Sequence, residues 1–191
     1  MIAAISLMRR QDTLGLSRFR RHWLDVHGPL VCAFPGVRRY VQCHVIDSLA
    51  ANEAGLSMRI DGFPILVFDN DADRLRAHHS PEMAECNIDS RQFVGAVSRV
   101  IADVSGDLRS GPGRFSLIEI WPESVVPAPR QVQYHVREQG AAPNSAIPHL
   151  PVTVGTMTQT WYDSLVDLEC AAAAMEDTGA ARFAVEEHWL V

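Results

Sequence analysis

Lysine is absent from this sequence: all 17 basic residues are arginine. No side chain can therefore form a Schiff base with a carbonyl substrate, and no P-loop lysine can reach a nucleotide phosphate. GC-rich coding is the simplest origin of the absence. Positive charge is scarce overall, with a formal net charge of −6, whereas a nucleic-acid binder normally presents a basic face. The four cysteines, Cys32, Cys43, Cys86 and Cys170, are scattered with no C-x-x-C pair, which gives no support to a structural zinc site. A disulfide framework has little support in a chain of this length without an export signal. The opening MIAAISLMRR is too short an apolar run for a signal peptide, and its charges follow the run instead of preceding it. No stretch approaches the ~18 apolar residues of a membrane span. The expectation is a cytoplasmic protein with no nucleic-acid or membrane partner.

What is present is an ordinary folded composition, 47% hydrophobic and 21% charged over 191 residues. That suits one large domain or two of about 100 residues. Residues 2–8, IAAISLM, predict a strand. Phe19, Trp23, Val26 and Leu30 form the stripe of a helix packed on one side. Ser17 is its expected N-cap, and Gly28-Pro29 followed by Pro35-Gly36 should end it. GVRRYVQCHVID alternates as a strand does: Val37, Arg39, Val41, Cys43 and Val45 point one way, and Arg38, Tyr40, Gln42, His44 and Ile46 the other. NEAGLSMRIDG predicts a turn region, and FPILVF a third strand that is apolar on both faces. Residues 69–85 predict a second helix with an acidic first turn, and QFVGAVSRVIADV a fourth strand. The order β-α-β-β-α-β is that of a ferredoxin-like split unit.

After a linker-like stretch at 105–114 the pattern restarts with FSLIEIW. GTMTQTWYDSLVDLECAA then lies against GFPILVFDNDADRLRAH with one inserted residue, pairing Phe68-Asp69 with Tyr162-Asp163, and RFAVEEHWLV closes the chain as a strand. The expectation is an α+β fold of two ferredoxin-like repeats, residues 1–106 and a shortened 114–191. Their sheets would cover each other as an intrachain barrel with an internal cleft for a small molecule. The valine row of the second strand would pack on the helices, leaving Tyr40, Gln42 and His44 to face the cleft.

The pair of histidines in HWLDVHGPL carries the most chemistry. At ~100° per helical residue, with Phe19 at zero, His22 falls near −60° and His27 near 80°, on opposite edges of the apolar stripe. That geometry gives no i,i+4 metal pair, and no metal is expected. His22 reads as a bridge between core and solvent. His27, directly before Gly28-Pro29, can reach past the helix end, and an imidazole titrates near neutral pH. His135, His149 and His188 have no motif around them, and His78-His79 suits a helix C-terminus.

FRRHWLDVHGPLVCAFPGVRRYVQCHVID resembles the EthD family of the dimeric α/β-barrel superfamily. The likeness rests on Phe19, His22-Trp23, His27-Gly28-Pro29-Leu30, Pro35-Gly36, Arg39-Tyr40 and Asp47. It extends through DGFPILVFDNDADRLRAHHSPE and covers residues 1–106 directly. Relatives in the superfamily include a methylmuconolactone isomerase, polyketide cyclases and dehydratases, and cofactor-independent monooxygenases. The resemblance implies a small aromatic, polyketide or lactone-like substrate, with protons moved by a histidine and a tyrosine that match His27 and Tyr40. The second half has no HW…HGPL counterpart, so the implied site is asymmetric, one half equipped and the other a lid or wall.

Three readings stay open. In the first, a cofactor-free isomerase, cyclase or lyase uses His27 as general base, while Tyr40 or His44 donates to a developing oxyanion. His22, Trp23, Gln42, Phe63 and Phe68 would then line the substrate, with core packing the alternative for Trp23. The second reading is oxygenation of an electron-rich phenol without a cofactor. The third is a non-catalytic binding or assembly module. No Rossmann glycine fingerprint or H-E-x-x-H motif occurs, so no cofactor is expected. Haem would need a proximal histidine, and nothing singles out His44, His149 or His188. The expected partner is a small-molecule substrate, and pairing of chains into a homodimer is left open.

Overall fold

A computed structural model of the chain describes residues 1–46, 52–108, 114–123, 132–141, 146–176 and 178–191. The strands are β1 (Ile2–Arg10), β2 (Val37–Val45), β3 (Gly62–Phe68), β4 (Val94–Ser105), β5 (Phe115–Trp121), β6 (Val132–Gly140), β7 (Thr156–Tyr162) and β8 (Ala181–Trp189). They close an antiparallel barrel in the spatial order β1-β3-β2-β8-β5-β7-β6-β4. Strands β1 to β4 thus lie side by side as β4-β1-β3-β2, and the seams β2–β8 and β4–β6 join them to the other four. This is the dimeric α/β-barrel architecture, and closure removes the open edges that four strands alone would present.

Alternation along the strands sorts the side chains into two layers. Phe63, Ile65 and Val67 of β3 turn into the barrel, where they meet Ile118, Met157 and Phe183 from the second half. Leu66 and Phe68 turn out, under the helices. The apolar residues on both faces of β3 are therefore used as the sequence suggests. Strand β2 is inverted relative to expectation. Val41, Cys43 and Val45 belong to the barrel interior, while Tyr40, Gln42 and His44 lie on the other face, against the helical layer. Two facing sheets bury far more apolar surface than a short helix covers, so the apolar row goes where burial is largest. The expected cleft between the sheets is filled. A space of about 10 Å³ remains near Tyr134, Gln159 and Glu187, room for about one water molecule.

The helices are α1 (Leu16–His22), α2 (Gly28–Cys32), α3 (Glu53–Met58), α4 (Asp71–His78), α5 (Pro81–Ser90) and α6 (Leu165–Ala174). Helix α1 starts from Gly15 in extended conformation with no side-chain cap, so Ser17 lies inside the helix. Nor does Gly28-Pro29 end it. A π-helical turn over Trp23–His27 links α1 to α2, and the Gly28 N–H bonds the Trp23 carbonyl. In an uninterrupted α-helix the Pro29 ring would strike the Asp25 carbonyl; a wide i→i+5 turn relieves that clash. The sequence read as a turn region contains α3, capped by Asn52 Oδ1 on the Gly55 N–H. The single second helix is two, because Ser80 caps a new start at Pro81. No helix among the described residues is long and apolar enough to cross a membrane. Asp47 lies outside the described residues.

Candidate functional site

The extra residue in the π-turn resets the phase of everything after it. Phe19, Trp23, His27 and Val31, four apart, are all buried, whereas Val26 is 48% exposed and leaves the predicted stripe. His22 and His27 flank one wide turn and so point the same way, not to opposite edges. Both rings pack on Phe93, with centroids at 5.0 and 4.9 Å.

They converge on one carboxylate. Asp89 on α5 stands with Oδ1 2.9 Å from His22 Nε2 and Oδ2 2.8 Å from His27 Nδ1. Burial pushes the Asp89 carboxyl up, but hydrogen bonds from His27 and His22 outweigh it and hold the group below its ordinary range. Asp89 is thus an anion that accepts from both imidazoles. With Nδ1–H committed to Asp89, His27 keeps its lone pair on Nε2, and Cys86 Sγ lies 3.4 Å from that nitrogen. Asp89, His27 and Cys86 form a line: anion, imidazole, thiol. Burial raises the Cys86 thiol to about 12, with the Asp89 charge adding to the effect. The sulfur therefore stays protonated, a weak donor that leaves Nε2 available as a base.

His27 and Cys86 line a cavity of about 110 Å³ between the helices and the outer face of β1, β3 and β4, together with Tyr40, Met83, Leu66 and Arg99. Tyr40 is fully buried. Its hydroxyl accepts from Gln42 Nε2 at 2.8 Å. The same amide donates to the Trp23 carbonyl at 2.8 Å, and Gln42 Oε1 takes a bond from His44 Nε2 at 3.0 Å. The Trp23 indole N–H also lies beside the Tyr40 hydroxyl; among the described residues it has no other partner, and no acceptor for the hydroxyl proton appears there. Burial raises the Tyr40 phenol, which stays protonated. His27, whose Nε2 can accept a proton, and Tyr40, a buried donor, both line this cavity.

Of the residues expected from sequence, the structure brings His27 and Tyr40 to one cavity and moves the others off it. His44 stacks on the Trp23 indole at 4.4 Å and reaches Tyr40 only through Gln42; burial, His188 and Arg20 lower it to about 3, so it is neutral. His22 acts on Asp89. Trp23 belongs to the apolar cluster with Phe19 and Phe93, Phe63 faces Phe183 inside the barrel, and Phe68 is packed beneath the helices. Sequence reasoning missed Cys86, Asp89 and Arg99. The first two share a face of α5 at i and i+3, a signal readable once Ser80-Pro81 is taken as a helix start. Larger clefts of about 260 and 450 Å³ flank α3. In the first, Arg10 pairs with Asp61 and Arg59 with Asp12, Arg9 lines it as well, and neither cleft reaches an imidazole.

Residues 11–96, which carry the wide turn, α5 and most of the cavity wall, match the EthD domain family. No curated protein matches the chain. Among solved structures, an anthrone oxidase-like protein superposes with a TM-score of 0.62 at 10% identity, covering 99% of this chain and 93% of that one. An ethyl tert-butyl ether D (EthD) family protein from Bacillus halodurans covers 54% of this chain and 97% of its own at 18% identity, with a TM-score of 0.46.

Proposed function

We propose that the chain is a small-molecule enzyme that moves a proton on a ring-sized carbonyl compound, with His27 as general base. The observation that carries this reading is the Asp89–His27 bond, which leaves a lone pair on the imidazole of a residue that lines one cavity with the buried Tyr40. In this reading His27 Nε2 takes a proton from carbon next to the carbonyl, and the C–H electron pair moves onto the carbonyl oxygen. Tyr40 donates to that oxygen between largely apolar walls, which strengthen such a bond. The Asp89 carboxylate stabilises the imidazolium that forms. Return of the proton to another carbon completes an isomerisation, and loss of a leaving group gives the cyclase or lyase variant. Cofactor-independent oxygenation begins with the same deprotonation and differs in what meets the carbanion.

We also infer that residues 114–191 are a shortened copy of the first half. The matching strand orders β4-β1-β3-β2 and β8-β5-β7-β6 support this, as do helices capped just after Phe68-Asp69 and Tyr162-Asp163, by Asn70 and Ser164. The second half lends the cavity Ile147, a wall residue with no proton chemistry.

The experiment is deuterium wash-in from D2O, followed by NMR, over a panel of acidic carbonyl compounds: anthrones, aryl ketones and unsaturated lactones. One class should exchange at a rate that His27→Ala lowers by about 10²–10⁴, with oxygen uptake on the same compound separating oxygenation from isomerisation. Exchange that survives His27→Ala, or no exchange with any class, contradicts the reading and favours a binding module.

A further inference from the structure

We propose that Arg99 makes this cavity selective for carboxylates, so that its ligand is a single-ring monocarboxylate whose anionic group seats on the guanidinium. The inference rests on the cavity being the substrate site and goes beyond it by naming the substrate class. Arg99 lies on β4 opposite Ser6 of β1, and both line the cavity. Its sole hydrogen-bond partner among the described residues is His78, with Nη1 3.1 Å from the ring Nδ1. No carboxylate lies within ion-pair distance of it among those residues. Arg74, Arg182 and Arg10, by contrast, pair with Asp71, Glu119 and Asp61, and Arg20, which also has no ion pair among those residues, donates to the Val45 carbonyl away from this cavity.

A guanidinium held by a neutral acceptor is oriented without being neutralised. His78 accepts only when unprotonated, and burial, then the charge of Arg99, lowers its pKa. Burial, then the charge of Arg74, lowers Arg99 to about 10 against the opposing pull of Glu138, and it is a cation at neutral pH. A well-covered cation with no carboxylate in direct contact is costly, and a ligand that supplies one there recovers part of that cost. The planar fork of donors fits a carboxylate with two parallel bonds.

Geometry sets the rest of the ligand. Strands β4 and β2 are separated by β1 and β3, three strand spacings or about 14 Å, across the outer face of the sheet. Arg99 and Tyr40 line the same cavity, with Ser6, Pro64 and Leu66 on the strands between them. The cavity as a whole, about 110 Å³, is on the scale that holds one ring. A carboxylate on Arg99 therefore leaves the ring lying over Leu66 and its far side near Tyr40 and His27.

The test is calorimetric titration of the whole protein with matched pairs, cyclohex-2-enone-4-carboxylate and benzoate against their primary amides, at fixed ionic strength. Each acid should bind about 10- to 100-fold more tightly than its amide. Arg99→Gln should erase that preference, and Arg99→Lys should keep part of it, with circular dichroism confirming the fold of each. Equal affinity for acid and amide, failure of both acids to bind at millimolar concentration, or a preference that survives Arg99→Gln overturns the proposal. His27→Gln should keep the preference, so a carboxylate preference without any proton exchange refutes the base and leaves Arg99 standing. Exchange that proceeds equally on acid and amide does the reverse.

Discussion

The indole of Trp23 rests on Gly62: a Cβ at that glycine would come within 2.3 Å of the ring Cζ3 and 2.6 Å of Cη2. Gly62 pairs with His44 across the β3–β2 ladder, so the bare patch of sheet lets the ring settle flat on the imidazole. The wide turn needs this seat, since it carries Trp23 and His27 together. Gly62→Ala should lower stability by about 1–3 kcal/mol, the usual cost of overpacking a filled core. Urea unfolding checks this, and an unchanged midpoint would mean the indole has room to move.

The neutral, buried His44 makes stability depend on acid. Its folded pKa is about 3 against an ordinary 6.5, with burial the main cause and His188 and Arg20 adding to it. Between those two values the unfolded chain binds a proton that the folded chain refuses, so stability falls as pH drops from about 6.5 toward 3. His188 is shifted in the same direction. The Asp89 carboxylate, held below its ordinary range, adds a loss only at lower pH still. His44→Gln should flatten the upper limb of this decline, worth on the order of a few kcal/mol. Chemical denaturation at pH 7, 5.5 and 4.5 measures it; the same slope in both proteins would show that other groups titrate there.

Cys86 should be a slow nucleophile despite its place beside His27. With the thiol at about 12, only about 10⁻⁴ of it is ionised at pH 8, and the thiolate is the reactive form. All four cysteines are free, Cys170 exposed and Cys32 half-buried. Iodoacetamide with peptide mapping should therefore label Cys170 first, then Cys32, and leave Cys86 and Cys43 protected. Proton exchange should persist in Cys86→Ala. Fastest labelling at Cys86, together with loss of activity in that variant, would make the Asp89–His27–Cys86 line a nucleophilic triad instead.

The barrel and the EthD likeness were legible in the sequence because they rest on long patterns, such as strand alternation and the ordered run from Phe19 to Tyr40. The site was half legible. His27 and Tyr40 stand in the quoted motif, but their surroundings depend on two features that pattern alone does not carry. One is the π-turn, which arises from Pro29 within a continuing helix and moves His22 and His27 onto a common side. The other is the facing of β2. Both of its rows can be buried, and the packed interior around Phe183 and Met157 decides which row turns in. Asp89 and Arg99 lie on elements far along the chain from His27, and only the closed fold brings them to it.

The central claim is that Asp89 fixes His27 with its basic nitrogen toward the cavity. Long-range proton–nitrogen correlation of the imidazoles tests it without any substrate. At pH 7 the account predicts His27 as the tautomer protonated on Nδ1, with a downfield proton shared with Asp89 and lost in Asp89→Asn. A His27 ring protonated on Nε2, or averaging freely between tautomers, would contradict it.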